Sequence, residues 1–238
     1  MKSVALITGA SRGIGEEVAK YFATKHYNLE LIARDSERLK NIAESLVRNH
    51  NIEVGWHSVD VTEFDQVNSI VKQVIEAYGK IDVLVNAAGI FRFGTKSLSN
   101  GDLDELLNTN VRAVHNLCTA CGEAMGRSSI GHIFNIASIT GKEGFKSVGG
   151  YCASKFANVG YSQALAKELL PENIKVTTIC PAVVNTDMAA GSGMAPEQMI
   201  DKKDIARTID YVLSLSDAAV VDEVVVKCKT ILEQTTVR

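Results

Sequence analysis

Short apolar segments alternate with helical patterns along most of the chain. Seven segments are rich in β-branched and other apolar residues, often at consecutive positions, as expected for parallel strands covered on both faces. These segments are Val4–Thr8, Leu29–Ala33, Val54–Val59, Val83–Asn86, His132–Ser138, Val176–Cys180 and Val224–Val226. Helical patterns lie between them at about 14–25, 36–48, 64–78, 102–126, 151–170 and 202–216, with Asp35 and Thr62 as predicted N-caps. This alternation predicts an α/β fold in which a doubly wound parallel sheet of about seven strands carries helices on both faces.

The length and composition agree with one globular domain spanning residues 1–238. Hydrophobic residues make up 46% of the chain and charged residues 22%, which is ordinary for a soluble enzyme. A net charge of −3 gives no reason to expect nucleic acid or an anionic membrane as a partner. The longest uncharged stretch, Ser128–Gly141, has 14 residues, whereas a transmembrane helix needs about 20. The sequence MKSVALITGA has neither a signal-peptide nor a transit-peptide pattern, so a cytoplasmic protein is expected.

Cys118 and Cys121 form a C-x-x-C pair, but this pair lies inside a predicted helix. A redox pair would normally open a helix, and His115 is the nearest additional metal ligand in sequence. The chain has five cysteines and no secretory signal, which favours reduced thiols. Buried core thiols are therefore expected, and no metal site is predicted.

A glycine-rich turn joins the first predicted strand to the first helix. Its sequence, TGASRGIG from Thr8 to Gly15, permits a tight turn and lets backbone N–H groups approach a pyrophosphate at a helix N-terminus. The turn therefore predicts a dinucleotide site formed by Gly9, Ser11, Arg12, Gly13, Ile14 and Gly15. The same residues also spell G-x-S-x-G, the nucleophile elbow of serine hydrolases, with Ser11 as the nucleophile. That alternative is weaker, because an elbow serine normally follows several strands that supply the oxyanion hole.

The end of the second predicted strand favours NADP(H) over NAD(H). NAD-binding proteins usually place an acidic residue there to hold the ribose 2′-hydroxyl, and Ala33 stands at that position in this chain. Arg34 follows it, and Arg12 in the glycine turn adds a second cation on the same side. Guanidinium groups pair well with a 2′-phosphate. The alternative is that both arginines are solvated and that Asp35 only caps a helix.

Five motifs, taken in order, resemble the short-chain dehydrogenase/reductase family. They are the glycine turn, Asn86-Ala-Ala-Gly89, Asn110, Ser138 and Tyr151-Cys-Ala-Ser-Lys155. The resemblance covers residues 2 to about 215, and the 3-oxoacyl-[acyl-carrier-protein] reductases are the most similar type. It implies a Rossmann fold and an oxidoreductase that transfers a hydride between NADP(H) and a carbonyl or alcohol substrate. It also implies a homodimer or homotetramer.

Tyr151 and Lys155 are four residues apart at the start of a predicted helix, so both face the same side. A phenol with a pKa of about 10 needs its pKa lowered by about 3 units to act near pH 7, which is worth about 4 kcal/mol. The Lys155 ammonium and the positive ring of an oxidised nicotinamide are the expected causes. Ser138, at the end of the fifth predicted strand, is expected to donate a hydrogen bond to the substrate carbonyl oxygen. The resemblance assigns Lys155 to the cofactor ribose and Asn110 to a water that relays protons.

The resemblance also assigns further cofactor contacts. Asp60 and Val61 correspond to an adenine contact, and the adenosine ribose lies beside Asn86, Ala87 and Gly89, where Ala87 replaces a second asparagine. Val184 and Thr186 match the positions that hold the nicotinamide carboxamide. Pro181 matches the family, but Ala182 stands where a glycine is usual.

The substrate pocket is expected between Ile90–Phe93, Thr140–Val148 and a mobile lid at Asp187–Ile200. Its aromatic and methionine residues make it mostly apolar, while Arg92 and Lys146 either meet an anionic substrate or are simply solvated. The C-terminal segment, Val224–Arg238, lacks the Gly-Gly-type ending of many relatives, which weakens the case for the tetramer that those relatives form. A cofactor-binding sensor without turnover remains an alternative function, although the complete Ser138, Tyr151 and Lys155 set argues against it.

Overall fold

The computed structural model describes residues 2–125 and 130–230. In this part of the chain, seven parallel strands form one sheet in the order β3-β2-β1-β4-β5-β6-β7. The strands are β1 Val4–Thr8, β2 Asn28–Ala33, β3 Val54–Ser58, β4 Val83–Asn86, β5 Gly131–Ile136, β6 Ile174–Pro181 and β7 Glu223–Val226. The predicted α/β fold is therefore confirmed. The last residues of the C-terminal segment considered above, 231–238, lie outside the described residues.

Seven α-helices of the described residues connect the strands. They are α1 Gly13–Thr24, α2 Ser36–Asn49, α3 Phe64–Tyr78, α4 Asn100–Leu107, α5 Ala113–Gly122, α6 Gly149–Leu169 and α7 Lys202–Leu213. The helix predicted at 102–126 is wrong in detail, because α4 and α5 are separated by a π-helical turn at Asn108–Arg112. Residue 126 lies outside the described residues.

One of the two predicted helix caps is confirmed. The Asp35 carboxylate accepts a hydrogen bond from the Arg38 backbone N–H at 3.0 Å and caps α2. The prediction for Thr62 is wrong, because Glu63 occupies the N-cap of α3. The Thr62 hydroxyl instead donates to the Asp60 carboxylate at 2.8 Å.

Two apolar layers sandwich the sheet, and alternate residues of β1 belong to different layers. Ala5 and Ile7 pack with α1, α2 and α7, whereas Val4 and Leu6 pack with α3, α5 and the end of α6. The second layer also contains Cys118 and Cys121, which confirms that both are buried core thiols. Across the described residues, no helix has the length and apolar character that a membrane crossing requires.

The order of the strands places a crevice at the carboxyl ends of the neighbouring strands β1 and β4. The chain moves outward from β1 through β2 to β3 and then returns to the other side of β1 with β4. Ligands of open α/β sheets bind beyond the carboxyl ends of the strands at such a reversal. The loops that follow β1 and β4 meet at this point, and many of the predicted cofactor residues lie there.

Candidate active site

The glycine turn packs directly against the loop that follows β4. Gly9 has a φ of 65°, and a Cβ at this position would lie 2.8 Å from the Ala87 carbonyl oxygen. A Cβ on Gly15 would collide with the Gly9 carbonyl oxygen. The Thr8 hydroxyl accepts hydrogen bonds from the N–H groups of Ala87 and Ala88 at 3.2 and 3.1 Å. The turn thus brings backbone N–H groups to the start of α1 at positions where only glycine fits, which suits a pyrophosphate.

A cavity of about 570 Å³ extends from this turn across the ends of β2, β3 and β4. Small-molecule sites commonly have volumes of about 300–1,000 Å³. The predicted cofactor residues that line it are Gly9, Ser11, Arg12, Gly13, Ile14, Arg34, Asp60, Val61, Ala87, Gly89 and Thr186. Arg38, Asp187 and Met188 also line it and were not among the predicted cofactor residues.

Six predicted cofactor residues do not line this cavity: Gly15, Asn86, Pro181 and Val184 are packed beneath or beside it, and Tyr151 and Lys155 lie on α6. Gly15 is buried in the turn, and Val184 is buried within the loop that follows β6. Asn86 donates a hydrogen bond to Asn135 at 2.8 Å. The Pro181 carbonyl accepts from the Ser138 hydroxyl at 3.4 Å.

Every arginine that lines the cavity forms an ion pair with an aspartate. Arg34 lies 3.6 Å from Asp60. Arg12 lies 3.3 Å from Asp187, and Arg38 is shared between Asp35 and the same Asp187. The positive groups expected to hold a 2′-phosphate are therefore present, but they are balanced by carboxylates.

Ser138 and Tyr151 meet at the carboxyl end of β5. Tyr151 lies in the first turn of α6, where it is 8% exposed, and its hydroxyl forms a hydrogen bond with the Ser138 side chain. The Phe91 ring packs edge-on against Tyr151 with centroids 4.9 Å apart. Burial raises the pKa of Tyr151 to about 12 in the protein without cofactor, and the lowering expected beside an oxidised nicotinamide ring stays a prediction. The hydrogen bond to Ser138 offsets only part of that rise.

Lys155 lies one helical turn further along α6, on the same side. Its ammonium is 5.7 Å from the centre of the Tyr151 ring and donates to the Ile136 carbonyl at 2.9 Å. Burial lowers the pKa of Lys155 to about 8. The side chain is therefore protonated at pH 7, yet it gives up a proton far more easily than an exposed lysine.

Asn110 lies in the π-helical turn between α4 and α5, a feature that often marks functional positions. Its side-chain amide exchanges two hydrogen bonds with the backbone of Ile90, at 2.9 and 3.0 Å, and donates to Ser154 at 3.0 Å. Its backbone carbonyl accepts from Asn158 at 3.0 Å. Asn110 therefore ties the loop after β4 to α6, and its role in a water relay remains a prediction.

Sequence reasoning missed Ser154 and Asn158 as partners of Asn110. Both side chains are almost completely buried on the face of α6 that packs against the π-helical turn. The available signal was a series of small polar residues at helical spacing, continued by Ser162. Such a series is unusual on a buried helix face unless the polar groups bind one another.

The expected substrate side is apolar and rimmed by aromatic residues. Phe91 and Phe93 contact edge-to-face at 4.8 Å, and Phe93 is 66% exposed. Arg92 points into ion pairs with Asp102 and Glu105, at 3.4 and 2.7 Å. The Arg92 charge is thus already paired, which favours the interpretation that Arg92 is a surface residue and not an anchor for an anionic substrate.

Comparison with known proteins assigns the family. Residues 3–196 match the family model described as short chain dehydrogenase. The chain therefore belongs to the short-chain dehydrogenase/reductase family, a family of oxidoreductases, and the sequence-based identification is confirmed.

Individual relatives agree with this assignment. An uncharacterized oxidoreductase of Staphylococcus saprophyticus is 34% identical over 227 residues, which cover 94% of this chain and 96% of the relative. The crystal structure of a betaketoacyl-[ACP] reductase from Bacteroides thetaiotaomicron is 34% identical, covers 98% of this chain and 100% of its own, and has a TM-score of 0.87. A short chain dehydrogenase from Burkholderia cenocepacia, solved in complex with NADP, is 30% identical with a TM-score of 0.86 and covers 94% and 96% of the two chains.

Proposed function

We propose that this protein is an NADP(H)-dependent oxidoreductase that reduces a ketone, or oxidises the corresponding alcohol, with Tyr151 as the general acid or base. The observation that carries the proposal is the group formed by Tyr151, its hydrogen-bonded partner Ser138 and the buried Lys155. This group lies at the carboxyl ends of the strands, as does the cavity over the glycine turn.

The residues around the cavity fit the dinucleotide. In the proposal, the glycine turn holds the pyrophosphate, Asp60 and Val61 contact the adenine, and Arg12 and Arg34 favour the 2′-phosphate. Asn86, Ala87 and Gly89 border the ribose, while Pro181, Val184 and Thr186 position the carboxamide end. Bound NADPH supplies the hydride for the reduction. The NADP complex of the Burkholderia relative supports this choice of cofactor.

The chain's own residues handle the proton and the orientation of the substrate. The carbonyl carbon gains the hydride, and its oxygen gains a proton from the Tyr151 hydroxyl. The Ser138 hydroxyl donates a hydrogen bond to that oxygen and fixes its position. Lys155 is protonated at neutral pH and replaces the proton lost by Tyr151, while Asn110 keeps the neighbouring loop in place.

The substrate is proposed to be apolar around the reacting carbonyl. Phe91 packs on Tyr151 and Phe93 extends the aromatic surface towards solvent. A 3-oxoacyl thioester is one such substrate, and the similarity to a betaketoacyl-[ACP] reductase supports it. The segment Asp187–Ile200 is proposed as the lid of this pocket, and a cytoplasmic homodimer or homotetramer as the working form.

The proposal is tested by measuring NADPH oxidation with a panel of β-ketoacyl thioesters, diketones, steroids and sugars. The variant Tyr151→Phe removes one hydroxyl and should reduce kcat by at least about 100-fold. Tyr161→Phe is a matched control, because Tyr161 lies on the same helix and its hydroxyl contacts His115 at 3.3 Å, away from Ser138.

Full turnover by Tyr151→Phe would refute the assigned role of this tyrosine. NADPH binding with no turnover of any ketone would instead favour the sensor. Labelling of Ser11 by a fluorophosphonate probe would favour the hydrolase.

A further inference from the structure

Two arginines in the cavity converge on one carboxylate oxygen of the loop that follows β6. The guanidinium of Arg12, in the glycine turn, lies 3.3 Å from Asp187 Oδ2, and that of Arg38, in the first turn of α2, lies 4.0 Å from the same atom. Two guanidinium groups around one anionic oxygen is an arrangement that proteins use for phosphate. The carboxylate oxygen of Asp187 thus stands where a phosphate oxygen would be stabilised.

The three aspartates that line the cavity are held to different degrees. Asp35 accepts the backbone N–H of Arg38 at 3.0 Å, and Asp60 accepts that of Thr62 at 2.9 Å. Within the described residues, the Asp187 carboxylate is bound only by the two arginine side chains. Its side chain is 65% exposed, and it begins a short 3₁₀ turn, Asp187–Ala189. Asp187 is therefore the aspartate that can withdraw without disturbing a helix cap or a turn.

We propose that Asp187 is an internal counter-ion of the 2′-phosphate site, and that Arg38 joins Arg12 in binding the phosphate when Asp187 gives way. The proposal rests on the proposed NADP(H) dependence. A cofactor without the 2′-phosphate leaves the two ion pairs intact, whereas NADP(H) has to displace the carboxylate. Asp187 therefore weakens the binding of NADP(H) selectively, and Arg38 strengthens it selectively.

The expected effect is modest, because all three side chains are largely exposed. Two unit charges 4 Å apart in water interact by an energy equivalent to about a fivefold change in affinity. Removing the Asp187 charge should therefore tighten the binding of a 2′-phosphorylated ligand about fivefold. The gain should shrink as salt screens the charges.

The test is calorimetric binding of NADPH, NADH, 2′,5′-ADP and 5′-AMP to the full-length protein and to Asp187→Asn. NADPH and 2′,5′-ADP should bind about fivefold more tightly to the variant, and NADH and 5′-AMP should bind as before. Asp204→Asn is the matched control, because it also removes an exposed carboxylate paired with an arginine, Arg207 at 2.9 Å, but on α7. Asp187→Ala serves as a second variant that lacks the carboxylate. A thermal denaturation curve for each variant shows whether it is folded.

The complementary variant is Arg38→Gln, which should weaken NADPH and 2′,5′-ADP about fivefold and leave NADH unchanged. Arg48→Gln, in the last turn of the same helix, is its control. An unchanged ratio of NADPH to NADH affinity in both folded Asp187 variants would overturn the role of Asp187. Failure of the wild-type protein to bind either dinucleotide would overturn the proposed function instead, so the two failures are distinguishable.

Discussion

Replacing Lys155 with methionine should change how stability depends on pH. Burial lowers the pKa of Lys155 from 10.5 to about 8 in the folded protein. Between these two values the unfolded chain holds a proton that the folded chain has released. The free energy of unfolding of the wild-type protein therefore rises as the pH rises through this window. Below pH 8 the folded protein bears the full cost of a buried ammonium.

The size of this change in the free energy of unfolding follows from the pKa shift of Lys155. A pKa difference of this size corresponds to about 3 kcal/mol in total. The free energy of unfolding of the wild-type protein should increase by about 2 kcal/mol of this total between pH 8 and pH 10. Tyr151 contributes the opposite slope above pH 10, because its pKa is raised to about 12, so the measurement stops at pH 10.

The assay is urea denaturation of the wild-type protein and of Lys155→Met at half-unit steps from pH 7 to pH 10. Methionine also loses the hydrogen bond to the Ile136 carbonyl, but that loss shifts the whole curve and does not change its slope. Cys118 and Cys121, whose pKa values are raised by burial, are present in both proteins and cancel in the difference. The wild-type minus variant difference should rise by about 2 kcal/mol, and a flat difference would refute the assignment of a buried, depressed lysine.

Two further predictions concern the half-buried His132 and the glycine turn. Burial lowers the pKa of His132 to about 4, so the wild-type protein should lose up to about 3 kcal/mol as the pH falls from 6.5 to 4. His132→Leu should lose less over the same range in urea denaturation, and identical acid profiles would contradict this. Gly15→Ala forces a Cβ onto the Gly9 carbonyl oxygen, so it should cost about 1–3 kcal/mol in stability and weaken NADPH binding measured by fluorescence. Gly160→Ala, on an exposed position of α6 with open space around it, should instead stabilise by about 0.5–1 kcal/mol, and equal effects of the two changes would contradict the reasoning.

The strands and the glycine turn could be predicted because their signals are local. In β1 every residue is buried, and the run of apolar positions that reports this lies within five residues. The turn is equally local, since Gly9 and Gly15 are required by contacts with its own backbone and with the adjacent loop. Charge pairs with aspartates on distant segments, such as Arg12 with Asp187, carry no local signal and were not predicted.

The electrostatics of the proposed catalytic group could not be predicted from residue spacing. The sequence shows that Tyr151 and Lys155 share a helix face, and the structure agrees. The sequence does not show how deeply the pair is buried, and burial outweighs the attraction between a phenolate and an ammonium that are not in direct contact. The π-helical turn at Asn110 was missed for a related reason, because the side chains that bond to Asn110, those of Ser154 and Asn158, are more than 40 residues away in sequence.

The two ends of the site satisfy their charges in different ways, and this difference has a functional consequence. At the proposed catalytic end, Tyr151 and Lys155 are buried and each has a hydrogen-bond partner fixed by β5 or its end. Removing a partner there leaves a buried polar group unpaired, which costs at least about 1–3 kcal/mol. At the cofactor end, the charges form exposed ion pairs that are worth at most about 1 kcal/mol each. We therefore expect single substitutions at Arg38 or Asp187 to alter cofactor preference with little loss of stability, whereas substitutions in the proposed proton-transfer group should also destabilise the fold.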